Sequence, residues 1–326
     1  MEPVLPKVEL HLHLDCSLSY EVVRSLRPGT SEAVYREEFI APKRCTNLGD
    51  FLKRAPKGVE LMQTETELRV VVDDLFQQLL ADHVIYVEIR FAPLLHLAKG
   101  MTPPAVVEVV NDATERAIRE TGIEARLILC TLRHFTTEQG LATARLVKQF
   151  AGTNVVALDL AGDEAGHPIE PHIPAYEFAR ANNLYRTAHA GEAAGAQSVW
   201  DTLRLLQPQR IGHGVRSTED AALLDFLRQH QIHLEVCPSS NLQTNVYCEM
   251  AEHALDALYR AGLSVGISTD ARTITNITLE QEYENMRQAF GWTDQELLQC
   301  NLNALRAAFL PDDLKRKLEL RLKSGQ

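Results

Sequence analysis

The sequence predicts an α/β fold, a (β/α)8 TIM barrel with a long helical insertion after the first strand. Eight short β-rich runs alternate with segments that carry apolar residues at helical spacing, such as Val199–Leu206. This alternation is typical of a parallel sheet with helical crossovers. Polar residues stand at the ends of several runs, and barrels hold their chemistry at the carboxyl ends of their strands. The runs are Val8–Leu14, Ile85–Phe91, Ala125–Arg133, Val155–Leu160, Tyr185–His189, Arg210–Val215, His233–Pro238 and Ser264–Ser268.

An open, doubly wound sheet is the structural alternative. In such a sheet the first and last strands lie far apart. Barrel closure makes them neighbours and brings His11 and His13 of the first run close to Asp270, which follows the eighth. The position of these polar residues therefore favours the closed barrel.

The stretch from Cys16 to Val84 is too long for a simple crossover and predicts several helices, which form a natural lid. Within it, a capping signal at Thr46 and Asn47 precedes Leu48, Phe51 and Leu52 at i, i+3 and i+4. This apolar edge could hang over the barrel mouth, although an edge packed into the core has the same pattern. Beyond Trp292 the sequence predicts terminal helices. No repeat or linker divides the chain, so residues 1–326 are expected to form a single domain.

The composition excludes several classes of function. A net charge of −11 without a long basic run argues against a nucleic-acid partner. Residues 1–15 lack the pattern of a secretory leader, and no stretch is long and apolar enough to span a membrane. Six scattered cysteines without framework spacing favour reduced thiols and a cytoplasmic location. The oligomeric state stays open at this level.

Two histidines two residues apart on the first run, His11 and His13, point to the same face and can share a metal ion. Such a pair alone is weak evidence, because most pairs of this kind bind nothing. Two further candidate ligands, His189 and Asp270, stand at the ends of the fifth and eighth runs. Three imidazoles and a carboxylate form a set that zinc accepts, with room for one water. We therefore expect one Zn²⁺ per chain.

Two more residues could take part in a hydrolytic reaction. Glu192 follows His189 by three residues and could donate a proton to the substrate. His213, between two glycines at the end of the sixth run, could orient or deprotonate a water whose pKa zinc has lowered. A hydrogen-bonded core histidine is the alternative interpretation of His213.

Five motifs in order, HLHLD near the start, then HAGE, GHG, CPSSN and STD, resemble the adenosine deaminase family of zinc aminohydrolases over nearly the whole chain. Stretches around Tyr86–Phe91, Leu129–His134 and Asp159–Gly162 with Glu164 also resemble the family. The resemblance implies the barrel, a helical gate at Leu48, Phe51 and Leu52, and deamination of a purine at C6. The site residues it implies are zinc ligands His11, His13, His189 and Asp270; a proton donor to N1, Glu192; a residue that positions the nucleophile, His213; and substrate contacts His13, Asp15, which would take the ribose hydroxyls, and Gly162, which would face N3.

The chemistry supports the same reaction class. An aromatic amidine carbon resists attack by hydroxide unless the adjacent ring nitrogen gains a proton, and Glu192 could supply that proton. The cytidine-type deaminase signature, H-x-E with P-C-x-x-C, is absent because Cys237-Pro238 has the wrong order and no second cysteine follows. That other zinc deaminase fold is therefore excluded.

The sequence departs from the family at two positions. Ala271 follows the ligand aspartate where many members carry a second aspartate that binds N7, and Cys16 stands where glycine is usual. Arg272 and Thr273 could be new substrate contacts, or simply the start of a helix.

Three functions remain open from the sequence. The leading one is zinc-dependent conversion of adenosine or 2′-deoxyadenosine to the 6-oxo product and ammonia, a reaction of purine salvage. The second is the same chemistry on a modified adenosine, such as aminodeoxyfutalosine or methylthioadenosine, or on free adenine. The third is a zinc-containing barrel that has lost catalysis and serves as a binding protein; the complete set of ligands with Glu192 and His213 weighs against it.

Overall fold

The computed structural model describes residues 5–324, in which eight parallel strands form one sheet ordered β1 to β8 along the chain. All eight predicted runs are strands, with ends that differ from the prediction by up to two residues. The strands are β1 Lys7–His13, β2 Val84–Phe91, β3 Glu124–Leu132, β4 Val155–Ala161, β5 Tyr185–Ala190, β6 Arg210–His213, β7 His233–Val236 and β8 Val265–Ile267.

Closure of the barrel joins the first strand to the residues just after the last. A parallel bridge pairs Leu12 with Asp270. The His13 amide donates to the Asp270 carbonyl at 2.8 Å, and the Asp270 amide donates to the His11 carbonyl at 3.0 Å. The (β/α)8 barrel is thus confirmed, and its closure places His11 and His13 next to Asp270.

Sixteen helices of the described chain surround the sheet, and five of them fill the predicted insertion between β1 and β2. Those five are α1 Tyr20–Leu26, α2 Glu32–Phe39, α3 Leu48–Leu52, α4 Ala55–Val59 and α5 Glu65–Ala81. The others are α6 Pro103–Thr121, α7 Thr137–Gln149, α8 Ile173–Ala181, α9 Ala196–Leu205, α10 Ala221–Gln229, α11 Pro238–Gln243, α12 Leu255–Arg260, α13 Arg272–Thr275, α14 Leu279–Phe290, α15 Asp294–Ala307 and α16 Asp312–Ser324.

The apolar core lies mainly between the strands and the helices. At the amino-terminal end of the barrel, Val8, Leu10 and Tyr86 pack against Leu318 and Leu322 of α16. The predicted terminal helices α15 and α16 therefore cover this end, which leaves the carboxyl ends of the strands for the site.

Within residues 5–324, no helix has both the length and the apolar composition that a membrane span needs. The prediction about a secretory leader concerns residues 1–15, of which residues 1–4 lie outside the described residues.

Candidate active site

Three histidines and a carboxylate converge at the carboxyl end of the barrel. The candidate ligand atoms of His11, His189, His213 and Asp270 all lie within 4.8 Å of one another. His11 Nε2 is 3.4 Å from Asp270 Oδ1. His13 joins the same group, because its Nε2 is 3.2 Å from His189 Nε2 and 3.4 Å from Asp270 Oδ1. The structure thus brings every sequence-predicted ligand together, with His213 beside them.

Carboxylates lie behind two of these imidazoles. Glu235 Oε2 is 2.9 Å from His11 Nδ1, and Asp159 Oδ1 is 3.2 Å from His189 Nδ1. An ionised carboxylate only accepts hydrogen bonds, so each neutral imidazole donates from Nδ1 and turns the lone pair of Nε2 toward the cavity. The buried Nε2 of His11 has no protein hydrogen-bond partner within the described chain. This is the tautomer that a metal requires.

Arg90 holds both of these carboxylates from inside the barrel. Its Nη1 donates to Asp159 Oδ2 at 2.9 Å and its Nη2 donates to Glu235 Oε2 at 2.6 Å, with all three side chains fully buried. Burial alone would raise the pKa of Glu235, but the charge of Arg90 keeps that pKa well below its usual range. One guanidinium therefore orients the supports of two histidines.

Asp270 has its own partner in α11, the helix that follows β7. The Ser240 hydroxyl donates to Asp270 Oδ2 at 2.7 Å. Burial raises the pKa of Asp270, but the hydrogen bond from His11 and the charges of neighbouring imidazoles outweigh it and lower the pKa. The carboxylate is therefore ionised, with its Oδ1 turned to the histidines.

The opposite electrostatic effect acts on Glu192, which lines the same chamber. Its side chain is buried, and its Oε1 has no hydrogen-bond partner within residues 5–324. Burial, followed by the negative charge of Asp270, raises its pKa well above the usual range of a glutamate. Both effects favour the protonated form of the Glu192 carboxyl.

Glu164 positions the loop that carries Glu192. Its Oε1 accepts from the Gly191 amide at 2.7 Å, and its Oε2 accepts from the amides of Glu192, Ala193 and Ala194 at 2.7–3.1 Å. One carboxylate thus satisfies four consecutive backbone donors. The resulting turn directs the Glu192 side chain into the chamber.

Backbone strain marks two of the site residues. His213 and Asp270 have φ angles of 60° and 63°, in the left-handed region that non-glycine residues seldom adopt. Gly212 precedes His213 because a Cβ there would lie only 2.9 Å from His11 Cε1. Strain of this kind concentrates at functional sites, where the surrounding contacts maintain it.

A narrow chamber and a wider annex meet at this site. The chamber, about 50 Å³, is lined by Glu192, His213, Asp270 and the lid residues Leu48 and Phe51. The annex, about 470 Å³, opens beside it, and both share His13, Cys16, Leu52 and Gly162 in their walls. The predicted lid is therefore at the mouth of the barrel, and its apolar edge faces the chamber.

Asp15 lies in the wall of the annex, apart from the metal cluster. Burial raises its pKa, but the nearby His96 and the Ala92 amide, which donates to Oδ2 at 3.3 Å, hold the pKa lower. Gly162, with a φ of 98°, lies where the chamber and the annex join. The two predicted substrate contacts thus flank one continuous cavity.

The residues after Asp270 divide between the chamber and the core. Ala271 and Ile274 line the chamber. Arg272 instead forms buried ion pairs with Glu9 at 2.8 Å and Asp82 at 2.6 Å. Thr273 donates to the Leu18 carbonyl at 2.7 Å. Of the two possibilities left open by the sequence, the helix start is therefore the one observed, as α13.

Comparison with known proteins identifies the family of this chain. Residues 6–324 match the family model for adenosine deaminase. Adenosine deaminase from Clostridium perfringens is 36% identical over 323 residues, which cover 97% of each chain. The chain belongs to the adenosine deaminase family. Membership makes it an aminohydrolase, as the motifs indicated.

Two solved structures share the fold of this chain. The crystal structure of adenine deaminase from Arthrobacter aurescens superposes with a TM-score of 0.90 at 25% identity, over 98% of both chains. An amidohydrolase from Burkholderia ambifaria, crystallised with bound Zn, has a TM-score of 0.90 at 23% identity over 98% of this chain and 90% of that one.

Sequence reasoning missed the residues behind the site. Arg90, Asp159 and Glu235 are charged residues on buried strands, and that was the available signal. A charge at such a position must point into the barrel or be paired. The sequence does not show which of these charged residues form ion pairs, because Arg90 and Glu235 are 145 residues apart in the chain.

Proposed function

We propose that this chain catalyses the zinc-dependent deamination of adenosine and 2′-deoxyadenosine to inosine and 2′-deoxyinosine, with release of ammonia. The observation that carries the proposal is the buried Glu192 carboxyl, whose Oε1 has no hydrogen-bond partner within residues 5–324, beside a cluster of three imidazoles and a carboxylate. Hydrolytic deamination requires an acid at this position, because N1 must gain a proton before C6 accepts a nucleophile.

Four residues fit a zinc ion: His11, His13, His189 and Asp270. The unpartnered Nε2 of His11 and the 3.2 Å approach of the His13 and His189 Nε2 atoms agree with a shared cation. Zinc in such a nitrogen-and-oxygen site acidifies water toward neutral pH. Carboxylates behind the Nδ1 atoms of His11 and His189 are the usual supports of zinc-binding histidines. We infer one Zn²⁺ per chain.

The protein groups then divide the reaction between them. Glu192 gives its proton to N1, which makes C6 electrophilic. His213 Nε2 lies 3.6 Å from Glu192 Oε2, within reach of the same reacting atoms. Ionised Asp270 accepts a hydrogen bond from the attacking water. Asp270 takes a proton from this water as its oxygen adds to C6. The same proton then passes to N6, the C6–N6 bond breaks, and the amine leaves as ammonia, while the proton of the C6 hydroxyl returns to Glu192. Adenosine and one water thus give inosine and ammonia.

The annex is where the rest of the nucleoside would lie. The reacting end of the purine must lie near Glu192 in the chamber, and the ribose then extends past Gly162 toward Asp15. Ionised Asp15 suits the ribose hydroxyls, which donate hydrogen bonds. In this orientation Leu48 and Phe51 cover the ring.

One observation favours a second candidate substrate, an adenosine with an apolar group at the 5′ position. Beyond Asp15 the annex is lined mainly by apolar side chains, among them Leu52, Leu95 and Leu132. Its one lysine, Lys53, is largely exposed and already paired with Asp50 at 3.2 Å. Such walls suit a 5′-alkylthio substituent better than a phosphate.

We also propose a cytoplasmic enzyme whose partners are small purine nucleosides. All six cysteines are free thiols, which is usual in a reducing compartment. The net charge of −11 opposes binding to a nucleic-acid backbone.

Ammonia release from a panel of aminopurines, with zinc quantified in the same sample, tests the proposal. The panel contains adenosine, 2′-deoxyadenosine, adenine, and adenosine carrying a 5′-methylthio group. We expect the highest kcat/KM with a nucleoside, at close to one zinc per chain. Turnover of adenine alone, or activity in metal-free protein, would contradict the proposal.

A further inference from the structure

A line of hydrogen bonds runs from the backbone of α12 to His213. The Leu255 amide nitrogen is 3.1 Å from His253 Nδ1. His253 Nε2 is 3.1 Å from Asn241 Oδ1, and Asn241 Nδ2 is 3.1 Å from His213 Nδ1. His253, Asn241 and His213 are all at least 97% buried, so water does not compete for these contacts.

The direction of every bond in this line follows from its first donor. A backbone amide can only donate, so His253 Nδ1 accepts, and neutral His253 carries its proton on Nε2. Burial lowers the pKa of His253 to about 3, which keeps it neutral. Its Nε2–H donates to Asn241 Oδ1, and this fixes the orientation of the amide. Asn241 Nδ2 therefore donates to His213 Nδ1.

We propose that Asn241 and His253 are positioning residues that hold His213 as the tautomer with its proton on Nε2. His213 then donates a hydrogen bond into the chamber and neither ligates a metal nor accepts a proton. The inference rests on the proposed function for the reaction that His213 serves. The assignment of the tautomer rests on the hydrogen bonds alone.

The contrast with the other imidazoles supports this role. Glu235 and Asp159 accept from the Nδ1 atoms of His11 and His189, whereas an amide donates to Nδ1 of His213. The partner behind the ring thus separates His11 and His189, which can bind a metal through Nε2, from His213, which donates from Nε2. Proximity alone does not, since His213 lies as close to the cluster as a ligand would.

Two substitutions at Asn241 distinguish positioning from a merely structural role. In Asn241→Asp the carboxylate accepts from His213 Nδ1, which moves the proton off Nε2; we expect kcat to fall at least about 100-fold, with KM within about threefold. Asn241→Ala removes the donor to His213 Nδ1 and leaves both tautomers of His213 accessible, and we expect kcat to fall about tenfold. A structural role predicts the reverse order, because aspartate is nearly isosteric with asparagine.

Asn301→Asp is the matched control. Asn301 is buried and hydrogen-bonded to the Val8 amide and the Tyr283 hydroxyl, at the opposite end of the barrel. We expect the same chemical change there to lower stability without changing kcat per folded, zinc-loaded enzyme. A kcat for Asn241→Ala at or below that of Asn241→Asp would overturn the proposal.

Nitrogen-15 NMR of histidine-labelled, zinc-loaded protein measures the tautomer without turnover. We expect the proton on Nε2 of His213 in the wild type and on Nδ1 in Asn241→Asp. A wild-type His213 protonated on Nδ1 would overturn the inference even if adenosine is deaminated. An Nε2–H signal in a protein that deaminates no nucleoside would instead refute the proposed function and leave the tautomer assignment standing.

Discussion

Arg90 lies deep in the barrel and holds the carboxylates that support His11 and His189. Within residues 5–324 its own side chain donates no hydrogen bond to either imidazole. A planar guanidinium can hold two carboxylates at fixed angles, which a lysine ammonium cannot. The geometry of the metal site is thus set one layer behind the ligands.

Arg90→Lys should therefore weaken zinc binding while the positive charge remains in the barrel. We expect the Kd for zinc to rise about 10- to 100-fold, the usual effect of losing support behind a ligand. Competition with a chelator measures it. Arg116→Lys is the control, because Arg116 makes a similar two-contact pair with Asp73 on the surface. Equal Kd values for the wild type and both variants would contradict the role of Arg90.

Ala271 leaves the chamber wall apolar at a position where related sequences often bind N7. It packs in a cluster with Leu48, Phe51 and Ile274. Arg272 cannot replace the missing contact while its guanidinium is paired with Glu9 and Asp82.

7-Deazaadenosine should therefore be deaminated nearly as well as adenosine, with kcat/KM values within about threefold of each other. The analogue removes an atom for which this wall offers no hydrogen bond. Ala271→Asp should restore discrimination in favour of adenosine. A 5- to 150-fold preference for adenosine in the wild type, roughly 1 to 3 kcal/mol, would show that another group reaches N7.

At the scale of elements, α3 controls access to the chamber. With α3 in this position the chamber measures about 50 Å³, well below the roughly 300 Å³ of small ligand sites. Leu48 and Phe51 of α3 line this chamber, so we expect α3 to move when the purine ring enters it from the annex. The helix has only five residues, so its stability depends on its cap.

Asn47→Ala should loosen this lid. The Asn47 side chain accepts from the Asp50 amide at 2.9 Å, and losing such a cap costs about 1 kcal/mol. We expect KM to rise about fivefold, with a smaller change in kcat, since the closed lid covers the bound ring. Thr293→Ala removes an equivalent cap from α15 at the far end of the barrel, and an equal rise in KM there would contradict a specific role for α3.

Prediction from sequence succeeded best for the strands and worst for contacts across the barrel. Alternation and apolar runs located all eight strands, and barrel closure followed from the positions of His11, His13 and Asp270. The lid was left undecided, because an apolar helix edge has the same pattern over a cavity as in a core. Its location depends on packing between segments far apart in the chain.

At the scale of the whole molecule, the barrel buries several charges whose balance depends on pH. Glu282 of α14 is among them: burial raises its pKa to about 7, although its Oε1 accepts from the Ser239 amide at 3.0 Å. The unfolded chain ionises this group near pH 4.5. Ionising this buried carboxyl lowers the free energy of unfolding. This destabilisation is absent below pH 4.5, grows as the pH rises, and is complete above pH 7.

Glu282→Gln should remove this destabilisation. We expect the variant and the wild type to be similarly stable near pH 4.5, and the variant to be more stable by about 3 kcal/mol at pH 8. Urea denaturation at both pH values measures the difference. Exposed Glu284 provides the control, because Glu284→Gln should show no such divergence. A variant that loses stability at pH 8 would contradict a buried, proton-holding Glu282.

The most direct test of the proposed deamination compares wild type and Glu192→Gln, both zinc-loaded, by ammonia release from adenosine. Glutamine is nearly isosteric but cannot protonate N1. We expect the variant to keep close to one zinc per chain and an unchanged melting temperature within a few degrees, while kcat falls at least about 100-fold. A fall of less than about tenfold with zinc retained would contradict Glu192 as the proton donor, and with it the proposed mechanism.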